Sequence, residues 1–132
     1  MQKFLSGLTA IHDGEHHYRG RYIGDRAEDK DYPKATHPVV RTHPETGRRS
    51  LFVNDHYTMR FKNMTVEEST PLLHHLLKHA IRPEFTSRFR WHKGSVAVWD
   101  NRCILHCPVA DYHGHRRHMH RVVMLGDRPV QD

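Results

Sequence analysis

Residues 99–127 read Trp-Asp-Asn-Arg-Cys-Ile-Leu-His-Cys-Pro-Val-Ala-Asp-Tyr-His-Gly-His-Arg-Arg-His-Met-His-Arg-Val-Val-Met-Leu-Gly-Asp. His106 closes a short apolar run, and Arg117 and Arg121 follow eleven and fifteen residues later at the start of another. By period two, Arg117, Met119, Arg121, Val123 and Leu125 share one face of a strand, and His118, His120, Val122 and Met124 share the other. A strand-borne imidazole followed by strand-borne guanidiniums can hold a metal and a carboxylate side by side.

Working back from this stretch, more strands are expected. Ser87 to His92 alternates Phe89 and Trp91 with Arg88 and Arg90. Lys93-Gly94 reads as the turn, and the nearly all-apolar Val96 to Trp99 suits a strand buried on both faces. Further upstream, Val39 to Thr42 and Leu51 to Asn54 flank the turn sequence His43-Pro44-Glu45-Thr46-Gly47-Arg48, which predicts a hairpin. Thr65 with Glu68 forms a capping box for a helix carrying Leu72, Leu73, Leu76 and Leu77. Either Pro71 kinks that helix, or Thr70 is the true cap and Pro71 its first residue. The helix ends before Pro83. At the N-terminus, Phe4, Leu5, Leu8 and Ile11 are spaced for one helical face over Gln2 to His12, and the polar His12 to Tyr32 reads as a surface excursion. The pattern is mainly β with flanking helices, an α+β class.

The 132 residues suffice for one domain. No apolar run approaches the ~18 residues of a membrane span, and Met1 to Ala10 lacks the features of a secretory signal. Cys103 and Cys107 are read as free thiols in a reducing cytoplasm. The formal charge is +6, with 15 histidines besides. Its cations are scattered (Arg48-Arg49, Arg88-Arg90, Arg116-Arg117) rather than interleaved with aromatics, which fits a small anion better than a nucleic acid.

Each candidate site has a plainer alternative. His106 is either a hydrogen-bonded structural residue or a ligand. Arg117 and Arg121, if buried on one face, either pair with a carboxylate such as Asp100 or clamp a ligand carboxylate or sulfonate. Trp99 and Tyr57 are either core aromatics or pocket walls. His74, His75 and His79 read as a solvated helix face. The tract His113, His115, His118 and His120 is interrupted by Arg116 and Arg117, which would repel a cation. The cluster His12-Asp13-Gly14-Glu15-His16-His17 reads as surface.

The stretch Trp99-Asp100-Asn101-Arg102 through His106, Arg117 and Arg121 to Gly126-Asp127-Arg128-Pro129 resembles the C-terminal signature of the taurine dioxygenase-like iron(II)/2-oxoglutarate-dependent oxygenases. His37 to Arg48 followed by Leu51-Phe52-Val53-Asn54 resembles that family's central hairpin. Phe4 to Leu8 with His12-Asp13 resembles the helix before its variable loop. The resemblance covers essentially the whole chain. It implies a clavaminate synthase-like jelly roll (double-stranded β-helix), present in part. It implies iron(II) on two histidines and a carboxylate, with His106 the distal histidine. Arg117 would pair with the far carboxylate of 2-oxoglutarate and Arg121 with the anionic group of the substrate, while Tyr57 and Trp99 would line the pocket. The implied reaction is hydroxylation of a small anionic substrate (sulfonate, sulfate ester or carboxylate) by O2, with succinate and carbon dioxide as co-products.

The departure is as informative. The family's other two ligands come as His-x-Asp or His-x-Glu upstream of the opening helix. No His-x-Asp occurs here, and the only His-x-Glu, His43-Pro44-Glu45, lies in the hairpin turn. Residues 1–132 therefore look like a single C-terminal portion, two-thirds or so, of such a domain. The expected consequence is exposed pairing edges and either poor stability or homo-oligomerisation. The rival readings are a non-catalytic remnant or interaction module of that fold and, less favoured, a basic nucleic-acid-binding domain.

Overall fold

The computed structural model describes residues 1–18 and 31–131. The chain opens with α1 (Gln2–Leu5), β1 (Thr9–Asp13) and α2 (Gly14–Tyr18). Then come β2 (Lys34–Pro38), β3 (Val40–Thr42), β4 (Arg49–Leu51), β5 (Thr58–Phe61), α3 (Val66–Ala80) and a short 3-10 turn at Pro83–Phe85. Most of the expected surface excursion, residues 19–30, lies outside the described residues.

The expected single N-terminal helix is corrected: it stops after one turn and becomes a strand. Beyond Gly7 the residues alternate, and Ala10 and His12 point inward while Thr9, Ile11 and Asp13 are half-buried. β-Branched Thr9 and Ile11 favour the pleated conformation. β1 is the centre of an antiparallel sheet ordered β2-β1-β5, with Ala10 opposite His37 on one side and Phe61 on the other. The register shifts between Ile11 and His12. The hairpin forms as expected, slightly shifted: β3 pairs with β4, Val40 opposite Leu51 and Thr42 opposite Arg49. Its turn closes with His43 N–H donating to Arg48 O at 2.9 Å and Gly47 N–H to His43 O at 2.9 Å. Gly47 takes φ +66°, where a side chain would be strained.

α3 settles the choice between its two possible caps. Thr65 is the N-cap, with both halves of its capping box made: Glu68 N–H to Thr65 Oγ1 at 3.2 Å and Thr65 N–H to the Glu68 carboxylate at 2.7 Å. Pro71 is inside the helix. Leu73 and Leu76 face Leu5, Ala10, Val39, Val53 and Phe61 to make the core. Phe61 is 0% exposed, and its N–H is satisfied by Ser69 Oγ on α3 at 3.0 Å. Burying a ring of this size is worth about 1.5–3 kcal/mol.

The three strands expected after α3 do not form. Among the described residues, 86–131 contain no strand, although the Lys93-Gly94 turn is present with Gly94 at φ +85°. A strand exists only as half of a hydrogen-bonded ladder, and among the described residues no ladder is made to these segments. Val98, expected to be buried on both faces, is 90% exposed, and Leu125 is 104% exposed. The segment is instead tethered at points: Thr42 N–H donates to Val130 O at 3.0 Å, and Gln131 Nε2 donates to Ser6 O.

Candidate functional site

His106 is placed by a turn at Asp100. Cys103 N–H (3.3 Å) and Ile104 N–H (3.0 Å) both donate to Asp100 O, and Asp100 Oδ1 accepts from Arg102 N–H at 2.8 Å. A short acidic side chain closing on a following N–H is a favoured turn device. The turn folds the chain back so that the exposed His106 ring lies 4.9 Å from the Trp99 ring. Trp99 Nε1 donates to Asn101 Oδ1 at 2.9 Å. Trp99, expected as a pocket wall just upstream of His106, is in ring contact with it through this turn rather than across strands.

Arg117 and Arg121 are exposed rather than buried on a shared strand face. The Arg117 guanidinium lies 5.3 Å above the Tyr112 ring. Among the described residues, no hydrogen bond, ion pair or ring contact joins His106 to either arginine. The meeting expected of them needs two neighbouring strands, and those strands are unpaired here. The alternative partner for the arginines, Asp100, is engaged elsewhere.

Tyr57 sits in the turn before β5, fixed by Tyr57 N–H to Asn54 Oδ1 at 2.8 Å and by Tyr57 O accepting Asp13 N–H at 2.8 Å. Its hydroxyl is 3.0 Å from that of Tyr18 on α2. The His17 ring lies 4.9 Å from the rings of both tyrosines, and Tyr32 stacks on Tyr18 at 6.5 Å and 7°. Tyr18 and His17 beside Tyr57, and Tyr32 behind Tyr18, were not foreseen. They gather there because β1 pairs with both β2 and β5, which no local pattern announces.

His12, expected on the surface, is buried instead, because it shares the inward parity of Ala10 on β1. Its ring lies 5.1 Å from His37 and 5.8 Å from Phe52. Burial first, and the neighbouring His37 second, lower its pKa to about 4. Burial, Arg128 and Arg41 also lower that of His37. The Arg41 guanidinium stands 5.5 Å above the Phe52 ring.

Beside the hairpin lies an ion-pair network. Arg102 holds Asp100 through Nε (3.0 Å) and Nη2 (2.7 Å), and reaches Glu45 at 2.9 Å. Asp100 Oδ2 is 3.1 Å from His43 Nε2, and Arg41 Nη2 donates to Asp127 Oδ2 at 2.5 Å. Hydrogen bonds from Arg102 and then His43 hold the Asp100 carboxyl well below its ordinary range. Asp100 and then Glu45 raise Arg102. His43, Asp100 and Cys103 offer ligand atoms within 4.8 Å of one another. Yet His43 Nδ1 accepts N–H bonds from Glu45 and Thr46, both at 3.3 Å. The proton is therefore on Nε2, facing Asp100, and the lone pair a metal needs is not presented there. Arg102 alongside also repels a cation.

The other histidine groups remain surface features. His74, His75, His113 and His115 are exposed, and the exposed His118 and His120 rings lie 4.9 Å apart. Cys103 and Cys107 are free thiols, and both are exposed. No helix among the described residues is long and apolar enough to cross a membrane.

Residues 1–123 match the taurine catabolism dioxygenase TauD, TfdA family. An alpha-ketoglutarate-dependent sulfate ester dioxygenase of Pseudomonas putida is 43% identical, over 98% of this chain and 46% of its own length. An alpha-ketoglutarate-dependent 2,4-dichlorophenoxyacetate dioxygenase of Cupriavidus pinatubonensis is 36% identical, over 98% of this chain and 46% of its own. Among solved structures, a taurine dioxygenase from Burkholderia xenovorans is 40% identical with a TM-score of 0.61, covering 76% of this chain and 32% of that one. The chain spans less than half the length of each of these curated relatives. The likeness to these solved structures gives the fold as part of that β-rich jelly roll.

Proposed function

Because the chain belongs to the taurine catabolism dioxygenase TauD, TfdA family, we propose that it carries the distal half of an iron(II)- and 2-oxoglutarate-dependent oxygenase site. In this reading His106 is a metal ligand, Arg117 binds the remote carboxylate of 2-oxoglutarate, and Arg121 binds the anionic group of the substrate. Tyr57 and Trp99 supply apolar wall. The observation that carries the reading is the family match running through these positions, together with the turn that presents an exposed imidazole against Trp99.

The residues present fit the metal at one corner. His106 is an accessible imidazole, but among the described residues no other histidine, cysteine or carboxylate groups with it, and a single neutral donor binds a divalent ion weakly. When bound, the metal would supply oxygen activation coupled to 2-oxoglutarate decarboxylation. The chain's own residues do simpler work. Arg117 offers a planar fork matched to a carboxylate, and Arg121 presents a second fixed positive charge. The Tyr18–Tyr57 pair gives an aromatic surface with two hydroxyls at its edge.

The family relatives' names point to substrates joining an organic body to a sulfonate, sulfate ester or carboxylate. The excess of positive charge on this chain agrees with that class. Anaerobic titration of the chain with 2-oxoglutarate in the presence of iron(II) tests the assignment. Arg117→Ala should weaken binding by about tenfold or more, equivalent to about 1.4 kcal/mol, while Arg121→Ala leaves it within about twofold. Equal affinity in Arg117→Ala and the parent chain would overturn it.

The exposed apolar runs support a second reading, an interaction module that associates through those segments. Size-exclusion chromatography discriminates: association relieved by Val98→Lys with Val122→Lys favours the module, and a monomer at all concentrations rejects it.

A further inference from the structure

We propose that Asp100 is the positioning residue for His106, and that Asp100, Arg102 and Asp127 form one clamp holding both arms of the site to the β3–β4 hairpin. This rests on the proposed role of His106 for its functional meaning, though not for its geometry.

Asp100 does two jobs at once. Its Oδ1 closes the turn through Arg102 N–H, which carries His106 back onto Trp99. Its Oδ2 reaches out of the turn to His43, 57 residues earlier in sequence. Arg102 locks the carboxylate from the other side with two nitrogens and bridges to Glu45 in the same hairpin. Asp127 closes the far end: Oδ2 is held by Arg41 on β3, and Oδ1 lies 3.8 Å from Arg102 Nη1. Arg41 is only 3% exposed, so this anchor is set in the hairpin's packed side rather than in solvent.

The segment carrying Arg117 and Arg121 therefore ends on the same charged hub from which the His106 turn begins. Neither arm is held by a strand ladder here, so the hub fixes their roots together with the Thr42–Val130 and Gln131–Ser6 hydrogen bonds. Paired charges with shared partners set register well even where each exposed pair adds little to stability. The arrangement also explains why Asp100 is unavailable to Arg117 or Arg121: its oxygens are already committed to Arg102 and His43.

The Trp99–His106 contact gives a readout that needs neither metal nor turnover. In a Trp91→Phe background Trp99 is the only indole, since the chain has two tryptophans. His106 is the ring partner of Trp99 among the described residues. The His106 ring covers part of the Trp99 indole, so His106→Ala should increase collisional quenching of its fluorescence by acrylamide. The proposal expects Asp100→Ala, which removes both carboxylate oxygens, to match His106→Ala while far-UV circular dichroism is unchanged. Quenching in Asp100→Ala equal to that of the parent overturns the proposal, whatever iron does. If Asp100→Ala fails to fold, Arg102→Lys decides, because it keeps the charge but loses the fork: increased quenching supports the clamp and unchanged quenching refutes it. Iron(II) titration of the same proteins separates the two claims. Increased quenching in Asp100→Ala with no iron binding by the parent chain leaves the clamp standing and removes the oxygenase reading.

Discussion

Mild acid should unfold this protein, and the buried imidazole of His12 sets the pH range. The ring is 7% exposed, its Nε2 has no hydrogen-bond partner among the described residues, and a second imidazole lies 5.1 Å away. Protonation would place a charge where water cannot reach it, so the folded pKa falls to about 4 against 6.5 for the free group. Between those values the unfolded chain binds more protons than the folded one, so stability is full above pH 6.5 and declines as pH falls through the interval. A shift of this size corresponds to about 3.4 kcal/mol at its limit and about 2 kcal/mol at about pH 5. His37 is shifted in the same direction and adds to the effect. Asp100 and Asp127 are held low, so their contribution is lost only below the ordinary carboxylate value of 3.8, outside the window. Urea unfolding followed by circular dichroism at about pH 7.5 and about pH 5 measures the difference. Most of the loss should vanish in His12→Phe, which keeps the ring and removes the proton site. An equal urea midpoint at both pH values, or an undiminished acid loss in His12→Phe, would refute the reasoning.

Two further outcomes test the packing. Phe61→Ala empties the centre of the core and should cost about 3–5 kcal/mol in urea unfolding with little change in slope; a cost under about 1 kcal/mol would mean that the site collapses freely. Thr65→Ala removes the side-chain half of the α3 capping box and should cost about 1 kcal/mol, seen as a lower unfolding midpoint, whereas Thr65→Asp should retain nearly all of it.

Local chemistry was legible and distant pairing was not. The hairpin could be read because its turn residues carry their own geometry, Gly47 at positive φ above all. α3 could be read because Thr65 and Glu68 satisfy each other within one turn. β1 reads as helix because Phe4, Leu5, Leu8 and Ile11 have helical spacing, and only its place between β2 and β5 makes it a strand. The short runs Lys34–Pro38 and Thr58–Phe61 passed unremarked, since four or five mixed residues carry little period. The alternation in Ser87–His92 and Arg117–Leu125 states which residues would share a face; it cannot supply the neighbouring strand, and without one these segments stay exposed. At the site, the ring contact of Trp99 with His106 comes from a turn at Asp100 where strands were expected. Tyr18 and His12 followed from sheet order, which single-chain patterns do not encode. The Asp100–His43 link joins residues 57 apart and had no local signal at all.

The proposed role of His106 as a metal-binding imidazole is open to anaerobic iron(II) titration monitored by histidine-selective NMR, because the paramagnetic ion broadens the resonances nearest to it. Of 15 histidines, His106 should broaden first, and more strongly once 2-oxoglutarate is added. Broadening that begins in the His113–His120 tract or at His43, with His106 untouched, would contradict the account.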